Sequence, residues 1–295
     1  MRRPSLPQYG GAIAGIFIKH PVIFSLSKEN EYYRERRNNM ETVSTIYKKV
    51  FHIDLRDIDF TKKLKLSALF SYFQETASEA AEHLGAGIDI LREQFGVAWV
   101  LTRVRVEIGR IPRFDEKIAI ETWPLEPGKV EFERDFIVKD ANGEAIINAV
   151  SKWVIMDINT RRLKRSDLIG LRYPEKITQR AIPGKLARLA PFGQPEEVYT
   201  KVIGYSDIDF NGHLNNSKYV DYMMDCFPVE EHRARSIQSI DIQFHNEALP
   251  GDSITLYKDI SGADNNFIYI EGKRKTDNKD IFKSVLQFKK PFPEG

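Results

Sequence analysis

The feature that most constrains this chain is that it repeats itself. Ile58-Asp59-Phe60 has a second copy in Ile208-Asp209-Phe210, and the same register sets Thr61 against Asn211, Lys63 against His213, Leu64 against Leu214 and Ser67 against Ser217. Further on, aligning 111–115 with 249–252 places Gly109 opposite Glu247. The copies agree at apolar and turn positions and differ at polar ones, where Thr61, Lys63 and Gly109 stand against Asn211, His213 and Glu247. That is the pattern of a duplicated scaffold with one equipped site and one stripped site, and the duplication decides the architecture.

Each copy reads as strand, helix, then strands. In the first, alternation over 47–55 predicts a strand, and apolar residues at Leu69, Phe70, Phe73, Ala77, Ala80, Ala81 and Leu84 recur at helical spacing. Ser67 is placed to cap that helix and Gly85 to end it, with a short helix or lid-like excursion over 87–96. Strands follow over 97–108, 116–124, 129–140 and 145–157, separated by Pro112, Pro127-Gly128 and the hairpin pair Asn142-Gly143. The second copy predicts strands over 197–203, 236–246, 252–261, 266–276 and 280–290 and a helix over 217–227. One long helix against a run of antiparallel strands is an α+β pattern. Between the copies lies a connection rich in Arg, Lys and Pro. Trp99, Trp123 and Trp153 read as core or pocket wall, because an exposed Trp is costly.

Composition excludes several classes. An apolar content of 42% over 295 residues suits a globular protein that buries a full core. The single cysteine, Cys226, forms no intramolecular disulfide and no all-cysteine zinc cluster, and points to a reducing compartment. The six histidines include no closely spaced pair, so no metal is expected. The net charge is +2, with a surplus of +4 in residues 1–39 and about −2 in the rest, which gives no case for nucleic acid. Arg2-Arg3 and the apolar run 11–18 imitate a signal peptide only faintly, and no segment is apolar enough to cross a membrane. Residues 1–45 read as a disordered extension or a misassigned start, Met40 being a natural beginning.

The chemistry is expected in the stretch 205–216. Asp209, Asn211 and His213 alternate and so share one side of an extended segment, while Gly212 and Asn215-Asn216 mark a turn and a helix start. Singly, each has a plain reading as part of a capped loop. Together, beside Glu247 in the same half, they form a polar set that simple packing does not call for.

Further motifs lie in order across both halves: E-T-A at 75–77, E-T-W-P at 121–124, S-K-W-V-I-M at 151–156, T-R-R-L at 160–163 and D-F-N-G-H-L-N-N at 209–216. On these the chain resembles the acyl-[acyl-carrier-protein] thioesterases of bacteria and plant plastids over roughly 47–290. The resemblance implies a tandem double hot-dog, each half a long helix packed on an antiparallel β-sheet. The expected layout is an N-terminal hot-dog over 46–165 with the acyl-chain pocket, a linker over 166–195, and a C-terminal hot-dog over 196–290 with the catalytic residues. The family motif Asp-x-Asn-x-His-x-Asn-Asn maps onto Asp209, Asn211, His213 and Asn215-Asn216, and the family glutamate onto Glu247. Where the family carries a cysteine after that glutamate, this chain has Ala248. Cys226 reads as a packed apolar residue, so a papain-like triad is ruled out and a carboxylate mechanism is expected.

The implied reaction is hydrolysis of the thioester of an acyl-acyl carrier protein, releasing free fatty acid and ending elongation. Glu247 would serve as general base or nucleophile, Asn211 and His213 as hydrogen-bond donors, Asp209 as their support, and backbone N–H groups of 212–216 as oxyanion donors. Leu69, Phe70, Phe73, Trp99, Leu101 and Trp123 are candidate walls for the acyl chain. The partner is acyl carrier protein bearing an acyl-phosphopantetheine. Being acidic, it would be met by one of two basic clusters, Lys62, Lys63 and Lys65 or Arg161, Arg162, Lys164 and Arg165. No cofactor is implied, a cytoplasmic monomer or homodimer is expected, and the alternatives are an acyl-CoA thioesterase or a non-catalytic acyl-thioester binding protein.

Overall fold

Every ladder in this sheet is antiparallel, and its strand order reads the same from either end. The computed structural model describes residues 44–289, so the extension expected over 1–45 falls almost wholly outside the described residues. The first copy comprises β1 (Tyr47–His52), α1 (Leu66–His83), α2 (Ile88–Phe95), β2 (Val97–Ile108), β3 (Lys117–Pro124), β4 (Glu131–Lys139), β5 (Ala145–Asp157) and the two-residue β6 (Leu163–Lys164). The second comprises β7 (Glu196–Val202), α3 (Asn216–Met224), α4 (Val229–Ala234), β8 (Ile237–Phe244), β9 (Ser253–Asp259), β10 (Phe267–Arg274) and β11 (Asp280–Phe288). They join in the order β1-β3-β4-β5-β2-β8-β11-β10-β9-β7, with β6 on β5. The sheet is thus two like halves meeting at β2 and β8.

Ladder hydrogen bonds set the true register of the repeat. The N–H of Ile53 donates to Glu116 O and that of Asp115 to Ile53 O, while Ile203 and Gly251 repeat this with Asp252 O and Ile203 O. Gly109 and Arg110 both donate to Ile146 O, as His245 and Asn246 do to Ile281 O. Glu247 therefore corresponds to Ile111, and Gly109 to His245, a shift of two residues from the alignment of the letters. That alignment paired Pro112 with Pro250, but the two prolines occupy different corners of their turns. On the true register Arg105 and Asp241 are equivalent, and they are also direct ladder partners, so a pseudo-twofold axis passes through that pair.

The helices pack on one face of the sheet. Leu69, Phe70 and Phe73 of α1 bury against Val104, Ile120 and Phe136, with the Phe73 and Phe136 rings 4.9 Å apart. Tyr219, Val220 and Met223 of α3 do the same over Ile240, Ile270 and Phe282. The two helices also touch each other, so both halves share one core. Helix ends follow local chemistry, with two corrections. Lys65 rather than Ser67 is the N-cap of α1, without a side-chain cap, and Gly85 at φ +74° ends the helix. Asn215 caps α3, its Oδ1 accepting the Ser217 N–H at 2.9 Å. The expected helix over 217–227 stops at Met224, because Pro228 disfavours helical backbone before it and opens the separate α4.

The connection over 166–195 is pinned rather than free. Ala181 N–H donates to Asp135, Trp123 Nε1 to Gln179 O at 3.1 Å, and Phe192 and Gly193 N–H to Asp259. Arg103 donates to Ala187 O at 2.6 Å and binds buried Asp241 through Nε and Nη2, both at 2.8 Å. Removing one member of such a buried pair costs about 3–5 kcal/mol, so this pair fastens the connection and the seam together. Among the described residues no helix is long and apolar enough to cross a membrane.

Candidate active site

The loop before α3 is built by one carboxylate. Asp209 Oδ1 accepts the N–H of Asn211 at 2.9 Å and of His213 at 3.2 Å, while Gly212 N–H donates to Asp209 O and Asp209 N–H to His213 O. Gly212 sits at φ +80°, where glycine carries no steric penalty. Asp209 thus supports Asn211 and His213 through their main chain rather than through their side chains. The N–H of Leu214 goes to Ala248 O and that of Asn215 to Asp207 O. Every backbone N–H from 211 to 215 is therefore committed inside the fold. This corrects the expectation that this segment supplies oxyanion donors, and leaves that task to side chains and to residue 216 onward.

The bond from Leu214 to Ala248 fastens the loop to the segment after β8, which brings His213 and Glu247 face to face. His213 Nε2 lies 3.0 Å from Glu247 Oε2. Arg161 places its guanidinium on the same oxygen. Arg274 holds the other side, Nη2 donating to Glu247 O at 2.5 Å and Nε lying 3.2 Å from Asp252. Arg161 comes from a turn in the first half, in which Asp157 accepts the N–H groups of Asn159 and Thr160 and Arg161 takes φ +57°. Those bonds, with Lys164 beside it, hold the Asp157 carboxyl well below the usual carboxylate range.

In the sequence Arg161 belongs to a run of basic residues expected to dock the carrier. Its neighbours behave differently: Lys164 pairs with Asp157 at 3.1 Å, Arg165 with Asp167 at 2.9 Å, and Arg162 is exposed. Such a run announces charge but not direction, and only the T-R-R-L pattern marks the place. Lys62, Lys63 and Lys65 lie on or beside the first-half copy of the loop and do not line the site.

Behind the pair opens a cavity of about 980 Å³ that runs between α1 and the first-half sheet, at the upper end of the range for ligand pockets. Asp209, Asn211, His213 and Glu247 line its polar end. Trp99, Leu101, Phe132 and Trp153 form its apolar wall, with Trp99 edge-on to Phe132 at 4.8 Å. Of the expected wall residues, Trp99 and Leu101 are there. Leu69, Phe70 and Phe73 are core instead, and Trp123 is covered by the connection at Gln179. The α1 residues at the cavity are Gln74, Ala77, Ser78 and Ala81, about a quarter turn around the helix. Large side chains fill the contact with the sheet, and small ones beside them leave the space open.

No thiol serves the site. Cys226 is buried, its Sγ 3.5 Å from Tyr222 O, and burial pushes it up to about 12. Ala248, at the position after Glu247, is fully buried. Among the described residues no group of three or more His, Cys, Asp or Glu is placed to hold a metal ion.

Two helix-on-sheet units joined edge to edge, with an acid–imidazole pair at the mouth of a cavity walled by Trp99, Leu101, Phe132 and Trp153, define a double hot-dog protein. The chain belongs to the acyl-ACP thioesterase family, whose N-terminal domain matches residues 44–167 and whose C-terminal domain matches 195–290. It is 27% identical over 226 residues to an oleoyl-acyl carrier protein thioesterase of Arabidopsis thaliana, covering 70% of this chain and 61% of that protein. A palmitoyl-acyl carrier protein thioesterase of the same plant is 25% identical, covering 74% of this chain and 56% of that one. The chain thus spans between half and two thirds of the length of these plant relatives. Among solved structures, an acyl-ACP thioesterase from Bacteroides thetaiotaomicron superposes with a TM-score of 0.73 at 27% identity, covering 83% of this chain and 98% of that one. The 12:0-ACP thioesterase from Umbellularia californica shares the fold, with a TM-score of 0.71 at 20% identity and the same coverage.

Proposed function

We propose that this protein hydrolyses the thioester of acyl-acyl carrier protein, releasing a free fatty acid and the carrier's phosphopantetheine thiol. The observation that carries the reading is the Glu247–His213 pair, 3.0 Å apart, at the polar end of the cavity. The acyl chain lies along the wall of Trp99, Leu101, Phe132 and Trp153, and the thioester carbonyl stops at the pair. Glu247 takes a proton from water as the water oxygen bonds to the carbonyl carbon. The tetrahedral intermediate then collapses, the C–S bond breaks, and the thiolate leaves with that proton, delivered through Glu247 or His213. Direct attack by Glu247, followed by hydrolysis of the resulting anhydride, is the other route open to the same geometry.

Asn211 and the Arg161 guanidinium stand as the oxyanion donors, since the loop N–H groups are spent. Arg161 also draws on Glu247, so it orients the carboxylate as well. For the acidic carrier, the basic segment 161–165 is the favoured docking site, because it reaches the cavity through Arg161 while the Lys62–Lys65 cluster does not. The compartment of this reaction is that of the carrier protein. A monomer satisfies the site, since both halves are in one chain.

The test is hydrolysis of matched long-chain acyl-carrier-protein and acyl-CoA substrates by the wild type and by Glu247→Ala. We expect turnover that favours carrier protein and falls at least about a hundredfold in the variant. A preference for CoA would make the protein an acyl-CoA thioesterase, and tight binding without turnover a binding protein.

A further inference from the structure

The two halves carry an ion cluster at the same corner of the sheet, wired in opposite directions. In the first half Glu116 accepts the Arg113 N–H at 3.0 Å, and Arg110 bridges Glu116 at 2.8 Å and Asp140 at 3.3 Å. On the register of the ladder hydrogen bonds Asp252 corresponds to Glu116, Leu249 to Arg113 and Asn246 to Arg110. Asp252 Oδ2 accepts the Leu249 N–H at 3.0 Å, as Glu116 does from Arg113. The neighbouring strands break register at the same place, between Val138 and Lys139 and between Gly272 and Lys273, which sets Asp140 against Arg274.

The arginine has therefore changed places. In the first half it stands on the segment after the seam strand and reaches out to the end of β4. In the second it stands at the end of β10 and reaches back to that segment. The ion cluster survives the exchange, with Arg274 Nε 3.2 Å from Asp252 and Nη1 donating to Asp277 at 3.2 Å. Nη2 is then free for a bond to Glu247 O, at 2.5 Å, whereas Arg110 spends Nη1 and Nη2 on its two carboxylates. The Arg274 side chain is also less exposed, at 19% against 43% for Arg110, and a hydrogen bond shielded from water is electrostatically stronger.

Glu247 needs such a hold. It lies between the end of β8 at Phe244 and the start of β9 at Ser253, outside both strands. Arg161 and His213 meet its carboxylate, but neither fixes the main chain from which that carboxylate swings. A reacting group misplaced by about 1 Å can lose about a hundredfold in rate.

We propose that Arg274 is a positioning residue for the acid–imidazole pair: exchanged with its first-half counterpart, it fixes the main chain of Glu247 so that the carboxylate meets His213. The inference deepens the acyl-thioesterase reading and rests on it. Each of the three guanidinium nitrogens is committed within the protein, to Glu247 O, Asp252 and Asp277, so Arg274 acts through Glu247 rather than on the substrate.

The test transplants the first-half wiring. Asn246→Arg combined with Arg274→Asp keeps an arginine beside Asp252 and a carboxylate at the end of β10, and removes the hold on Glu247 O. We expect a thermal midpoint close to that of wild type, a kcat at least about tenfold lower and a KM within about twofold. Arg274→Lys should recover part of kcat, because an ammonium reaches one of these partners but lacks the fork that holds several. NMR gives a readout without turnover: the His213 ring signals, assigned by their absence in His213→Gln, should move in the transplant toward their positions in Glu247→Gln. Wild-type kcat and unmoved His213 signals in the folded transplant would overturn the proposal. So would a raised KM with kcat unchanged, which would make Arg274 a substrate contact. Should the transplant not fold, Arg274→Lys decides on the same readouts, a lowered kcat with moved signals supporting the proposal and wild-type values overturning it. A wild type that hydrolyses no thioester would sink the proposed reaction, and the His213 signals alone would then decide this inference.

Discussion

The loops at 54–65 and 204–215 are the same object used twice. In both, an aspartate, Asp59 or Asp209, accepts two main-chain N–H groups from the residues two and four places on, and the residue three places on adopts a left-handed conformation. In both, a leucine N–H ties the loop to the segment after the seam strand, Leu64 to Pro112 O and Leu214 to Ala248 O. The apolar side chains of this shared frame are the same at 58, 60 and 64 as at 208, 210 and 214, and the polar ones it presents at 61 and 63 against 211 and 213 differ. The second copy sets His213 against Glu247, whereas the first sets Lys63 near a position held by Ile111. The halves differ on the sheet face as well: the second fills its interior with aliphatic rows, and the first leaves a cavity beside an eighteen-residue helix, twice the nine residues of α3. One half therefore brings the polar groups and the other the room, and Arg161 crosses from the roomy half to the polar one. Loop geometry is a property of the scaffold, and reactivity is a property of the side chains that it carries.

The sharpest way to break that comparison is to strip the matched positions. His213→Ala should lower kcat/KM by about 10²- to 10⁴-fold, and Lys63→Ala should leave it within about twofold of wild type; similar losses from both would dissolve the distinction between an equipped and an idle loop. A second contrast separates support from chemistry. Asp59→Ala and Asp209→Ala each remove a carboxylate that accepts two N–H groups, so each should cost about 1–2 kcal/mol in urea unfolding. Only Asp209→Ala should also reduce turnover, and an Asp59→Ala enzyme equally impaired would show that loop integrity alone explains the effect.

The smallest contrast is in the backbone. Lys62 at φ +60° holds a conformation that an L side chain rarely adopts, while its counterpart Gly212 is at φ +80°. Lys62→Gly should therefore stabilise by up to about 1 kcal/mol and Gly212→Ala destabilise by about 1–2 kcal/mol. Thermal unfolding of both variants would show it, and a loss of stability in Lys62→Gly would mean that the two loops are not equally strained.

Much of this architecture is legible in the letters. The strands over 97–108 and 145–157 have the bounds expected of them, because apolar runs end abruptly at turn residues. The polar set at 209–213 stands out because its partner copy lacks it. Other features are not legible. After the seam strand the letters align the repeat two residues out, since a shared proline outweighs hydrogen bonds that letters do not show. Leu69, Phe70 and Phe73 read as cavity wall because large apolar residues attract that reading, but it is the small residues beside them that make the space. Arg274 carries no signal at all in one dimension, being a charged residue at a strand end whose partners are decided by pairing.

By itself the sequence determined that the chain is a duplicated α+β scaffold and that its second copy holds the polar set, because periodicity, turn chemistry and repetition are local properties that survive in one dimension. Only the tertiary structure decided which groups meet: Arg161 with Glu247 and His213, Arg103 with Asp241 across the seam, Arg274 with the Glu247 carbonyl. Each of those contacts depends on strand register and on chain segments far apart in sequence, and a shift of a single residue in a strand would turn every side chain to the other face.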